Sequence, residues 1–193
     1  MTHDPPAAGG RVADRGHRRL ALHDTVRMDR DEFLSHFGGV FEDSPWVAGA
    51  AWDVGPHASV AALHGAMVAA VAGAPRQARL DLIRAHPELA GKAAIAGSLT
   101  AESTREQVAA GLDRLTAAQH ACLLALTAEY RARFGFPFVV CAREHTADSI
   151  IATAAARVAA DRDAEEQTAL AEIAKIAALR LADLVTDAEG RSA

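Results

Sequence analysis

Two cysteines, one tyrosine and two tryptophans in 193 residues exclude several kinds of protein at once. Two thiols cannot build a disulfide framework or a zinc site, and Cys122 and Cys141 both lie on stretches that read as buried and apolar, where a reactive thiolate is disfavoured. A reducing compartment is the simpler expectation. Aromatic residues make up only 5% of the chain and β-branched residues are also sparse, so no substantial sheet is expected. No apolar run approaches the roughly 20 residues of a membrane span, the first residues lack an apolar signal core, and the last three are not a Ser-Lys-Leu address. These absences predict a soluble, cytoplasmic protein with no membrane partner. Twenty basic and 25 acidic residues, net −5, form no long block of either sign, which leaves no electrostatic footprint for nucleic acid. The nine histidines include no His-x-x-x-His pair with a glutamate, so no metal site is expected. Ser103 lacks the glycines of a nucleophile elbow.

What is present is alanine and leucine: half of the chain is hydrophobic, mostly through small or straight-chain residues that favour closely packed helices. A chain of this length can bury about 70% of its unfolded surface, enough for a real core. The prediction is an all-α, single-domain bundle of about eight to nine helices with one short extended apolar segment. Residues 1–27, rich in Pro, Gly, Arg and His, read as a flexible extension outside the fold, 28–187 as the helical domain, and 188–193 as a tail.

The first helix is expected behind an Asp29 cap with Glu32 three residues on, and ends at Gly38-Gly39. A second follows Ser44-Pro45 and runs through Trp46 to Trp52. Leu63, Met67 and Val71 give a third its buried stripe, Gly73 and Pro75 break it, and a fourth starts at Arg76. Thr116 with Gln119 opens a long helix through Cys122, Leu123, Leu126 and Tyr130, which Gly135 closes. One helix from about Thr146 to Ala160 and a longer one, capped by Asp163 with Glu166 and running to about Thr186, complete the bundle.

The polar groups of a catalytic pocket concentrate between Leu82 and Leu112. Pro87 lacks an N–H and pushes His86 toward extended geometry, so the fourth helix should stop at that histidine. On a helix over Thr100 to Ala110, Ser103, Glu106 and Gln107 share one side. A duller reading stands beside this one: Ser103 and Glu106 also fit a capping box, and a histidine before proline can be a satisfied loop residue. In the last helix Leu170, Ile173, Ala177, Leu181 and Leu184 form the inward stripe, and Arg180 falls within it. A buried guanidinium needs a carboxylate, a carbonyl cluster or an anionic ligand; a structural ion pair or snorkelling would also serve. Phe136 to Ala142, too short and too proline-broken for a helix, carries backbone groups into the interior that must find partners in a ligand or in neighbouring loops.

Four separated motifs together resemble one family. They are His86-Pro87-Glu88-Leu89-Ala90-Gly91, then Leu99 to Ser103 with Glu106-Gln107 and Ala110-Gly111, then Phe134 to Arg143, then Ile173 to Leu181 with Arg180. With Phe37 to Glu42 and Ser44-Pro45-Trp46 near the front, the likeness covers roughly Asp29 to Val185. The chain resembles the decarboxylases of 2-oxo-4-hydroxy-4-carboxy-5-ureidoimidazoline (OHCU) in urate breakdown, with Glu88 where aspartate is more usual. The resemblance implies an all-helical, often dimeric fold that uses no cofactor, with OHCU as substrate and a homodimer expected. It implies His86 and Glu106 as catalytic residues and Pro87 as a contact to the substrate ring. Ser103, Thr104, Arg105, Glu106 and Gln107 would touch ligand, as would the backbone of Phe138, Val139, Val140, Cys141 and Ala142, with Arg180 on an anionic or carbonyl oxygen. The substrate's own C=N bond would accept the electrons released with CO2. The rival from another class is a non-catalytic helical module that binds a purine-derived ligand or a protein partner.

Overall fold

A computed structural model describes residues 19–89 and 100–187. Among these residues eight α-helices carry the fold: α1 (Arg30–Phe37), α2 (Pro45–Val54), α3 (Val60–Gly73), α4 (Arg76–Ala85), α5 (Ala101–Ala109), α6 (Ala117–Phe134), α7 (Ala147–Val158) and α8 (Arg162–Leu184). None of them is long and apolar enough to cross a membrane. The one sheet among the described residues is a two-residue parallel pair, β1 (Leu20–Ala21) against β2 (Val185–Thr186), so the all-α expectation holds.

Local signals place the helix ends. The capping boxes at Asp29 with Glu32 and at Thr116 with Gln119 both form. Gly135 closes α6 at φ +78, a left-handed conformation that glycine adopts without a Cβ penalty. Four expectations fail. The cap of α8 is Asp161, which accepts from the Asp163 and Ala164 N–H groups, so Asp163 is already inside the helix. Helix α8 also stops at Leu184, because Val185 and Thr186 turn into β2; Leu184 is consequently exposed. Cys122 is exposed, since α6 buries the face of Leu123, Thr127, Tyr130 and Phe134 instead. Leu20 to Arg27 belong to the fold: β1 pairs with β2, and a 3-10 turn over Leu22–Arg27 buries Leu22 and Thr25. The remainder of the expected extension and the tail 188–193 lie outside the described residues.

Helix α8 is the spine, packing against α3 and α4, while α6 pairs with α7 and α2 joins α1 to α3. Leu63, Met67 and Val71 of α3 all point into the core, as their spacing requires. A second focus is aromatic: Tyr130 lies 4.6 Å from Phe134 and 5.3 Å from Phe138 between ring centroids. Phe138 belongs to the extended apolar run, and the interior satisfies part of that run's backbone. Arg157 Nη1 donates to the Val139 carbonyl at 2.8 Å, and the Cys141 N–H donates to Glu172 at 2.8 Å. Arg157 is itself neutralised by Glu165, 2.8 Å from its Nε, and Glu165 also accepts from the Tyr130 hydroxyl. Burial and the bond to Glu165 push the Tyr130 hydroxyl well above its usual pKa, so it remains a donor.

Candidate active site

Helix α4 ends where Pro87 dictates, and His86 follows in extended conformation at φ −72 and ψ 136. Its ring turns back along the helix, and Nδ1 lies 3.0 Å from the Leu82 carbonyl. That contact requires the proton to sit on Nδ1, which leaves the Nε2 lone pair bare. Nε2 is buried and has no hydrogen-bond partner among the described residues. Burial lowers the imidazole's pKa, assisted by the Arg180 charge and opposed by the Leu82 carbonyl and by Glu42 and Glu106. The ring is therefore neutral at pH 7, with an acceptor facing a cavity it lines.

Helix α5 supplies the facing wall. Thr100 is its cap, accepting from the Ser103 N–H at 3.1 Å. This removes the capping-box reading of Ser103 and frees its hydroxyl for the interior. Ser103 and Gln107 are buried, and with Glu106 they line the cavity with His86 and Pro87. Phe138, Val139, Val140 and Ala142 of the extended run close another side, and Ile176 and Arg180 come from α8. The cavity is narrow, about 30 Å³, and open to solvent on one side. Thr104 and Arg105 do not line it: the Thr104 hydroxyl donates to the Thr100 carbonyl, and Arg105 pairs with Glu102 on the exposed face of α5. Cys141 lies behind the wall, its thiol pushed up to about 11 by burial and by the nearby Glu144 charge.

Arg180 is inward-facing and paired, as a buried guanidinium must be. Nε and Nη2 grip the two oxygens of Glu106 at 2.8 and 2.9 Å, a bidentate fork. Nη1 reaches Glu42 Oε2 at 2.5 Å and the Gly39 carbonyl at 3.4 Å, and Nη2 also reaches Ser103 Oγ at 3.3 Å. A guanidinium carries five N–H donors, and here all five have acceptors within the protein. Burial disfavours the charged form, but the Glu106 hydrogen bonds and the Glu106 and Glu42 charges outweigh it and raise the pKa above that of free arginine.

Sequence reasoning missed Glu42. It is buried, and its second oxygen accepts from Ser103 Oγ at 3.1 Å and Thr100 Oγ1 at 3.4 Å. The demand of Arg180 for counter-charge was the available signal, but nothing in a loop residue 138 positions away picks it out as the partner.

The sequence profile of the OHCU decarboxylases matches residues 26–182, which takes in every helix wall of this cavity. The chain belongs to the OHCU decarboxylase family. It is 39% identical over 172 residues to the 2-oxo-4-hydroxy-4-carboxy-5-ureidoimidazoline decarboxylase of Halalkalicoccus jeotgali, covering 89% of this chain and 96% of that one. The Bos taurus protein of the same name is 42% identical over 158 residues, 82% of this chain and 93% of the relative. Among solved structures, (S)-allantoin synthase superposes with a TM-score of 0.68 at 26% identity, over 86% of this chain and 54% of that one. Across the OHCU decarboxylase fold of this chain, the His86, Glu106 and Arg180 side chains arrive from three different helices or their ends, so no single segment could make the site.

Proposed function

We propose that this protein decarboxylates OHCU to (S)-allantoin, without a cofactor, in the cavity between α4, α5 and α8. The observation that carries this reading is the bare, buried Nε2 of His86 in one cavity with the Arg180-bound carboxylate of Glu106. The substrate bears its carboxylate and a hydroxyl on one carbon, adjacent to a C=N bond. When the C–COO⁻ bond breaks, its electron pair moves to the neighbouring carbon, the C=N electrons move to nitrogen, and that nitrogen takes a proton. CO2 leaves into a wall built by Phe138, Val139 and Val140, which solvates a neutral product better than the carboxylate it came from. The enol that remains gains a proton on carbon and loses its hydroxyl proton, giving the carbonyl of allantoin; the substrate anion plus one proton yields the product and CO2.

In this reading His86 Nε2 accepts from the hydroxyl and takes its proton as the carbonyl forms, while Glu106 fixes the same end of the substrate. Gln107 and those backbone groups of Phe138 to Ala142 that Arg157 and Glu172 do not occupy read the ring and ureido amide groups. Arg180, with its donors occupied, acts by holding Glu106 in place. The different-class rival, a helical module that only binds ligand, is disfavoured by the match to the OHCU decarboxylase profile over residues 26–182 and by relatives bearing the enzyme's name. A homodimer in the cytoplasm completes the proposal, with the exposed Trp46 and Val54 of α2 as apolar surface for a second copy; sedimentation of the purified chain tests the dimer.

The deciding experiment generates OHCU in situ from urate, adds the purified protein, and follows circular dichroism as allantoin accumulates. Faster formation of the S enantiomer than in the spontaneous decay is the expected result. A rate equal to the spontaneous one would support the binding module.

A further inference from the structure

We propose that Glu42 is a positioning residue for the decarboxylation: it fixes Arg180 from the edge opposite Glu106, so that Glu106 is presented to the cavity. This rests on the decarboxylase reading above and assigns a role to a residue outside the cavity wall, which Glu42 reaches only through Arg180 and Ser103.

Three observations carry the inference. Glu42 is held at φ +50, the left-handed region that non-glycine residues occupy at an energetic cost, and such outliers persist where the surrounding structure enforces them. That backbone sends its carboxylate inward, where both oxygens are spent on the site: one on Arg180 Nη1 at 2.5 Å, the other on Ser103 Oγ at 3.1 Å. Without the carboxylate, Nη1 would keep only the Gly39 carbonyl at 3.4 Å, and beyond the Glu106 fork itself only the 3.3 Å contact of Nη2 with Ser103 Oγ would hold the guanidinium in place. Finally, two carboxyl groups share one guanidinium. The charged groups that bear on His86 come from three elements: Glu42 from the loop after α1, Glu106 from α5 and Arg180 from α8. The two acids favour the imidazolium and Arg180 opposes it, so removing one acid shifts the balance at the imidazole.

The isosteric Glu42→Gln variant tests this, with Glu42→Asp as the conservative partner. For each, kcat and KM on OHCU generated in situ are measured across pH, and the His86 imidazole is titrated by NMR with a thermal melt alongside. Glu42→Gln is expected to lower kcat about 10- to 100-fold, the scale of a small misplacement of a reacting group, with KM within about twofold. In the same variant the His86 titration and the acid limb of the rate profile move to lower pH. Glu42→Asp keeps the charge, so His86 should titrate as in the unaltered protein, with kcat between the two. A Glu42→Gln variant in which His86 titrates unchanged, or in which kcat is unchanged, overturns the proposal even if the melt shows a loss of stability. If Glu42→Gln does not fold, an unchanged kcat in Glu42→Asp overturns it. No turnover by the unaltered protein would sink the decarboxylase reading itself, whereas an unmoved titration sinks only the role of Glu42.

Discussion

Arg157 and Val139 are joined by a 2.8 Å hydrogen bond from guanidinium to carbonyl, and through it a structural ion pair supports a wall of the cavity. The same guanidinium sits 4.8 Å above the Phe138 ring and pairs with the buried Glu165. Replacing Arg157 with leucine strands a buried carboxylate. A loss of about 3–5 kcal/mol in urea unfolding is expected, together with a raised KM from the displaced Phe138 to Val140 segment. An unfolding midpoint near that of the unaltered protein would show that Glu165 has another way to shed its charge.

His86 gives a pH signature with a definite sign. Its native pKa is lowered, chiefly by burial, below the value of about 6.5 in the unfolded chain. Below that pH the unfolded state binds a proton the native ring resists, so stability is full above about pH 6.5 and falls as the medium becomes more acid. In the proposed mechanism the neutral imidazole is the active form, so kcat/KM should decline on an acid limb centred below 6.5. Comparing urea midpoints of His86→Gln and the unaltered chain at about pH 5 and pH 7.5 checks the first statement, because the variant should lose this part of the slope.

Removing the imidazole separates chemistry from folding. His86→Ala is expected to cost about 100- to 10,000-fold in kcat while the melting temperature stays near that of the unaltered protein. The side chain makes one protein hydrogen bond, to Leu82, in a site built to leave its other nitrogen open. A large fall in melting temperature would mark it as a structural residue instead.

The two thiols should behave oppositely. Cys122 is exposed on α6, whereas Cys141 is fully buried with its pKa pushed up to about 11. Iodoacetamide at neutral pH should add one group per native chain, at Cys122, and a second only after denaturation; intact-mass measurement reads both. A second adduct on the native protein would mean that the cavity wall opens.

Much of this architecture was legible because its signals are local. Pro87 stops α4 at His86 whatever the rest of the chain does, and the Asp29, Thr116 and Thr146 caps lie within three residues of the N–H groups they satisfy. The spacing of Leu63, Met67 and Val71 marks a buried face for the same reason. What could not be read depends on partners remote in sequence. That Arg180 is inward-facing follows from its place in the α8 stripe; that its partners are Glu106 and Glu42 requires the fold. Cys122 looked buried beside Leu123, yet one helical step of 100° separates the face of α6 that meets the core from the one that meets solvent. Leu184 was misplaced because the helical period says nothing about where β1 captures the chain.

That two-residue pairing has a further consequence. Leu20 sits beside Val185 in parallel register and Arg19 reaches the Ala182 carbonyl at 3.1 Å, so the first and last strands among the described residues are held side by side. Because the two strands run parallel, opposed forces applied at Leu20 and at Thr186 would shear the pair rather than unzip it.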